Sequence, residues 1–205
     1  MTLAATRSVT VTGVGTVSVP RDTAIVRVAA VHRASALADA LAGAESARAL
    51  LVEVARRYVA VEAVASESLD LWPAHDDTGH PVGFDARHAL TVRCTDLAVA
   101  GALLTALASE MGDRLRVDGV SLTASATGEA RQVARERAMA DARATAEHLA
   151  RLADADLGEV LAISDGTPGP SGARANRDGA AEMSVGFESG QADVAAAVSV
   201  TWALR

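Results

Sequence analysis

The residue types richest in chemistry lie together at positions 73–83, PAHDDTGHPVG. His75, Asp76, Asp77 and His80 place imidazoles and carboxylates within one short segment. Such groups converging from a loop form a ligand set for Zn2+, Ni2+ or Cu2+, and His75, Asp77 and His80 are the candidate metal ligands. The same segment is made of turn-forming residues throughout, which a solvated loop would also require. It lacks a cysteine and a helical His-x-x-x-His, and that favours the solvated loop.

Two further residues could react. His88 falls on the apolar side of an alternating run, where it could serve as a ligand or an acid/base, although a hydrogen-bonded core or interface histidine fits the pattern better. Cys94 shares that side; a redox-sensing role competes with the inertness usual for a buried thiol. Ser, His and Asp all occur, but no G-x-S-x-G or similar strained nucleophile turn does. Gly13-Val14-Gly15 sits inside a strand pattern with no helix after it, so it is no phosphate loop. The sequence therefore assigns no catalytic residue and no cofactor.

Composition narrows the function classes. Hydrophobic residues make up 50% of the 205, but 47 of them are alanine and only five residues are aromatic. A core of Ala, Val and Leu must draw backbone close to backbone, which predicts helices lying tightly on a sheet and few cavities of ligand size. The net charge is −7, and all 19 basic residues are arginine. No basic block alternates with aromatics, which argues against a nucleic-acid surface. A single cysteine excludes an internal disulfide framework and a cysteine-based zinc site. The N-terminal residues carry no apolar run of signal-peptide length, and no apolar stretch reaches about 18 residues. The expectation is a soluble, cytoplasmic protein without a transmembrane segment; a signal removed beforehand is the alternative, against which Met1 speaks.

The elements that must position these residues follow from periodicity. In 8–19, Val9, Val11, Val17 and Val19 alternate with Thr10, Thr12, Thr16 and Ser18, the period of a strand. Gly13 and Gly15 interrupt it, marking a bulge or a close backbone crossing. A turn at Pro20-Arg21-Asp22 and a strand over 23–33 suggest a hairpin. A helix starting at Ser35 as N-cap carries Leu37, Leu41, Ala44, Leu51, Ala55 and Tyr58 on one side. Strands at 67–72 and 84–94 flank the 73–83 loop. Asp96 caps a helix over 97–111 that stops at Gly112, with Leu97, Leu104, Leu107 and Met111 in one seam and Ala98, Ala102, Thr105 and Ser109 opposite. After a strand at 115–124 with a kink at Gly119, a long helix begins near Thr127. Its core side is read as Ala134, Ala138, Ala142, Leu149 and Leu152, with Glu147 and Arg151 paired on its outer side. Arg131 and Arg135 either meet acids across a subunit contact or lie beyond the sheet edge, the second being favoured slightly. A strand at 160–164, a mobile loop at about 165–191 and an alternating strand from Val194 to Leu204 complete the chain. So regular a terminal strand must pair with something.

The order is ββαββαβαββ: an α+β, two-layer fold with helices packed on a mostly antiparallel sheet, in two interlocked βαβ-like halves, about 8–112 and 113–205. Five stretches in this order, VTVTGVGTVSVPRD, GFDARHALTVRCTDL, VDGVSLTAS, ARERAMADARATAEHLARLADADLGEVLAISDG and VAAAVSVTWAL, resemble the SIMPL domain family, domain of unknown function 541. That family includes bacterial periplasmic and outer-membrane-associated immunogenic proteins of 26–28 kDa antigen type. The resemblance spans Val9 to Leu204. It implies a single two-layer domain, assembly into rings or larger channel-like oligomers, a loose link to envelope or oxidative-stress phenotypes, and no established enzymatic activity. The functional expectation is a non-enzymatic homo-oligomeric scaffold; the alternative is a metal- or small-molecule-binding protein, or a metal-dependent enzyme, using the His75–His80 loop.

Overall fold

The computed structural model describes residues 7–166 and 186–205. Within them the elements run β1 (Ser8–Pro20), β2 (Thr23–Ala34), α1 (Leu37–Ala55), β3 (Val64–His75), β4 (Pro81–Cys94), α2 (Leu97–Met111), β5 (Leu115–Thr123), α3 (Thr127–Leu152), β6 (Leu157–Gly166) and β7 (Gln191–Leu204). The order is ββαββαβαββ and the class is α+β, helices packed on antiparallel sheets. Of the loop expected at about 165–191, residues 167–185 lie outside the described residues. No helix among the described residues is long and apolar enough to cross a membrane.

The strands form two sheets, ordered β1-β7-β6 and β3-β4-β2-β5. The expected β1–β2 hairpin does not form. β1 pairs along its whole length with β7, Ser8 opposite Ala203 and Pro20 opposite Gln191, while β2 pairs with β4 and β5. Two compact units result: β1, α3, β6 and β7 belong to one, the remaining elements to the other.

In the first unit α3 lies against β1 and β7. Its buried residues are Ala130, Ala134, Ala138, Ala142, Ala146 and Ala150, a four-residue spacing that aligns methyl groups along one stripe. They meet Val11, Val198, Val200 and Trp202. Leu149 and Leu152 are exposed, Leu152 by 69%, so the leucines expected in the core lie outside it. The surface ion pair also differs from expectation: Arg143 bonds Glu147 at 2.9 Å.

The closeness of this contact is set by β1. Pairing runs unbroken through Gly13 and Gly15, so they form no bulge. A Cβ on Gly13 would lie 2.1 Å from the Ala138 carbonyl oxygen, and one on Gly15 would lie 2.0 Å from that of Ala134. The helix backbone rests on the strand backbone where side chains are absent. On the other face, Thr10 bonds Thr201 at 2.9 Å and Thr12 bonds Ser199 at 2.6 Å, cross-strand hydroxyl pairs that hold the register.

In the second unit α1 and α2 cover one face of the four-stranded sheet, where Val26, Val28, Leu90, Val92, Leu51 and Leu107 join one core. The buried side of α1 is Ala40, Ala44, Ala47, Leu51, Val54 and Ala55; Leu37, Leu41 and Tyr58 are exposed, a correction to the expected seam. On α3 the closest approach to the sheet admits methyl groups and displaces larger side chains to the margins, whereas on α1 Leu51 and Val54 enter the core beside the alanines. The N-cap of α1 is Ala36, with no side-chain bond, rather than Ser35. On α2 the expected caps hold, while the buried side includes Ala100, Gly101 and Leu103 beside the expected Leu104, Leu107 and Met111. Asp96 accepts from the Ala98 N–H at 2.7 Å, and Gly112 ends the helix at φ 53°.

Candidate functional site

The 73–83 segment is mostly strand. Pro73, Ala74 and His75 continue β3, and β4 already begins at Pro81, leaving only residues 76–80 as turn. Both prolines are compatible with this, since β3 is an edge strand and Pro81 is the first residue of β4. Asp76 organises the turn. Its Oδ1 accepts from the Thr78 N–H at 2.9 Å, the Thr78 hydroxyl at 2.6 Å and the His80 N–H at 2.9 Å. The Thr78 hydroxyl foremost, and then the His80 N–H, hold the Asp76 carboxyl below its ordinary value. His80 Nδ1 lies 2.8 Å from the Thr78 hydroxyl oxygen. His75 and Asp77 are exposed. Among the described residues, no three His, Cys, Asp or Glu side chains are grouped to hold a metal ion.

The sheet face opposite α1 and α2 carries charge. Asp85 on β4 stands between Trp72 on β3 and Arg33 on β2, and Arg87 stands between Asp70 and Val31. Arg33 grips Asp85 through two bonds, Nε at 2.7 Å and Nη2 at 2.8 Å, and this lowers the carboxyl from its ordinary value. Arg87 lies 3.5 Å from Asp70 and reaches across β2 to Asp118, beside the register shift where β5 was expected to kink. A cavity of about 530 Å3 opens here, lined among others by Val31, Arg33, Trp72, Asp85, Arg87 and Arg116. Few cavities of this size were expected. This hollow lies on the charged face of the sheet, not between helix and sheet.

His88 points the other way, towards α1. Its Nδ1 lies 2.7 Å from Glu45 Oε1, and its Nε2 lies 3.0 Å from the Ser66 hydroxyl. The ring is 12% exposed. Arg48, one turn along α1, donates from Nε to Glu45 Oε2 at 2.9 Å. Arg48 first, and His88 second, lower the Glu45 carboxyl from its ordinary value, so the group is an anion near neutrality. A ring that donates from Nδ1 to that anion leaves Nε2 to accept from the serine. The sequence identified His88 as a hydrogen-bonded residue but neither partner. Glu45 stands 43 residues before it and Ser66 22 before it, and no local spacing signals either.

Cys94 is fully buried in the core and burial pushes its thiol up, which disfavours the thiolate a redox sensor needs. Arg135 donates to Asp165 of β6 at 2.7 Å, an acid of its own unit; Arg131 is exposed.

A comparison with curated proteins finds no match. The family model described as SIMPL, protein of unknown function (DUF541), matches residues 9–202, from the second residue of β1 almost to the end of β7, and the chain belongs to that family.

Proposed function

We propose that the protein works as a homo-oligomeric scaffold assembled through the free edge of β6, with a stress response as the setting in which the assembly acts. The observation carrying this reading is an asymmetry between the two edges of the β1-β7-β6 sheet. At the β1 edge α3 supplies partners: Asp141 accepts from the Val14 N–H at 3.0 Å, and Arg137 donates to the Thr16 carbonyl at 2.5 Å. Side chains occupying edge groups in this way block the approach of another strand.

The β6 edge is different. Leu161 is 49% exposed and Ile163 62%, on a strand that among the described residues is paired on one side only. Unpaired backbone groups flanked by branched apolar side chains form a template for another strand, and an identical strand from a second copy supplies matching chemistry.

Light scattering at micromolar concentration tests this reading. The native chain is expected at a multiple of 20.9 kDa, and a chain carrying Leu161→Lys and Ile163→Lys at 20.9 kDa with unchanged far-ultraviolet circular dichroism. A strictly monomeric native chain refutes the oligomer; an assembly of unchanged size in the lysine variant refutes the β6 edge as its contact.

A further inference from the structure

We propose that Ser66, His88 and Glu45 form a nucleophilic relay, in which Ser66 accepts an acyl group from an activated carboxylic ester. The three residues come from β3, β4 and α1, with His88 Nε2 3.0 Å from the Ser66 oxygen and Nδ1 2.7 Å from the Glu45 carboxylate. A serine, a histidine and an acid bonded in that sequence constitute the arrangement that activates a hydroxyl. It is recognised by geometry and roles and not by order along the chain.

Three features separate this cluster from a histidine that merely ties a helix to a sheet. The contacts suit the tautomer a general base needs: Glu45 is bonded by Arg48 on one oxygen and presents the other to His88 Nδ1. Ser66 is exposed, while the ring behind it is nearly covered, so a substrate can reach the hydroxyl in front of the base. The β3–β4 ladder also slips beside the serine: Ser66 stands opposite Leu90 and Ser68 opposite Ala89, leaving Glu67 without a partner. A bulge of this kind re-aims the neighbouring side chain and releases backbone groups from the ladder, on a strand whose outer edge is unpaired among the described residues.

The chemistry balances without a cofactor. The Ser66 oxygen attacks the ester carbonyl carbon, its proton passes to His88 Nε2, and the carbonyl electron pair moves onto oxygen. Collapse of this tetrahedral species breaks the bond to the leaving alkoxide, which takes the proton from His88 and departs as the alcohol. Water then attacks the acyl-serine, giving a proton to His88. The second collapse returns that proton to the Ser66 oxygen and releases the carboxylic acid. Glu45 keeps its charge throughout, stabilising the transient imidazolium.

The test uses the full-length chain and a serine-reactive fluorophosphonate, with sites mapped by peptide mass. Phosphonylation is expected at Ser66, at least about a hundredfold faster than at Ser68, whose hydroxyl is engaged by Asp70 at 2.9 Å with no histidine bonded to it. His88→Gln is expected to slow labelling of Ser66 by about a hundredfold. Glu45→Gln, which preserves the side-chain shape, should slow it by tenfold or more while the circular dichroism is unchanged. Ser66→Ala, at an exposed position, is expected to fold normally and lose the adduct. Labelling of Ser66 no faster than Ser68 in the folded native chain overturns the relay. So does a rate at Ser66 that is unchanged in both the His88 and Glu45 variants.

Discussion

Replacing Gly13 by alanine reverses the sign that such a change usually has. In a strand whose backbone angles any residue can adopt, Gly→Ala stabilises by about 0.4–1 kcal/mol, because it restricts the unfolded chain. Here the added Cβ would fall 2.1 Å from the Ala138 carbonyl oxygen and 2.4 Å from the Ala142 nitrogen. Both obstacles are helix backbone, with no side-chain torsion available to relieve them. Ordinary contact begins near 3.4 Å, so α3 must retreat from β1 by more than an ångström, and the stripe from Ala130 to Ala150 loses contact with it. Overpacking a tight interface costs about 1–3 kcal/mol, and the rigidity of the obstacles places Gly13→Ala at the upper end. Gly15→Ala, facing the Ala134 oxygen at 2.0 Å, should match it.

Urea unfolding followed by circular dichroism measures this. With a slope of about 1–3 kcal/mol per molar urea, the midpoint should fall by on the order of 1 M. Gly128→Ala serves as the control, because a Cβ there meets nothing within 4 Å and the residue lies in α3. It should stabilise by up to about 1 kcal/mol. Equal or greater stability of Gly13→Ala relative to the native chain would refute the backbone-on-backbone contact.

Two other perturbations have definite outcomes. Asp96→Ala removes the cap of α2 and should cost about 1 kcal/mol, lowering the melting temperature by about 2–4 °C in a chain of this size; an unchanged melting curve would show that the cap is dispensable. Asp85→Asn tests the Arg33 grip through pH. The folded carboxyl is depressed below its ordinary value of 3.8, so its stabilising effect is complete above that value and is lost as pH falls through the folded value. The native chain should be the more stable at pH 7, and the difference should shrink as pH falls below 3.8 and vanish once pH is below the depressed folded value; a difference undiminished by acid contradicts the assignment.

Element order was legible because period-two and helical patterns are local. Strand partners were not, since alternation tells which side of β1 is buried but not which strand lies beside it. Its partner lies at the other end of the chain, and the short turn at Pro20 suggested β2 instead. Helix faces were misread where leucine was weighted above alanine. Leu149 and Leu152 carry the greater hydrophobicity, but the separation left by Gly13 and Gly15 admits only methyl groups. The glycine pair marked either a bulge or a close crossing, and only the unbroken pairing of β1 with β7 decides for the crossing. At the relay, His88 was visible as a polar residue on an apolar face. Ser66 and Glu45 acquire meaning only once β3, β4 and α1 are side by side.

The pairing of the first and last strands has a consequence for synthesis. Thr10 and Thr201 are 191 residues apart, so β1 leaves the ribosome well before its partner. At about 5–20 residues per second, β1 waits on the order of 10–40 s, whereas β2 to β5 are contiguous and can close their sheet in the meantime. During that wait β1 is a nascent strand of alternating valine and threonine, the kind of segment that stacks with its own copies. Gly13 and Gly15 sit in its middle, and glycine weakens such stacking. The two residues that admit α3 in the finished protein thus also protect the unfinished one.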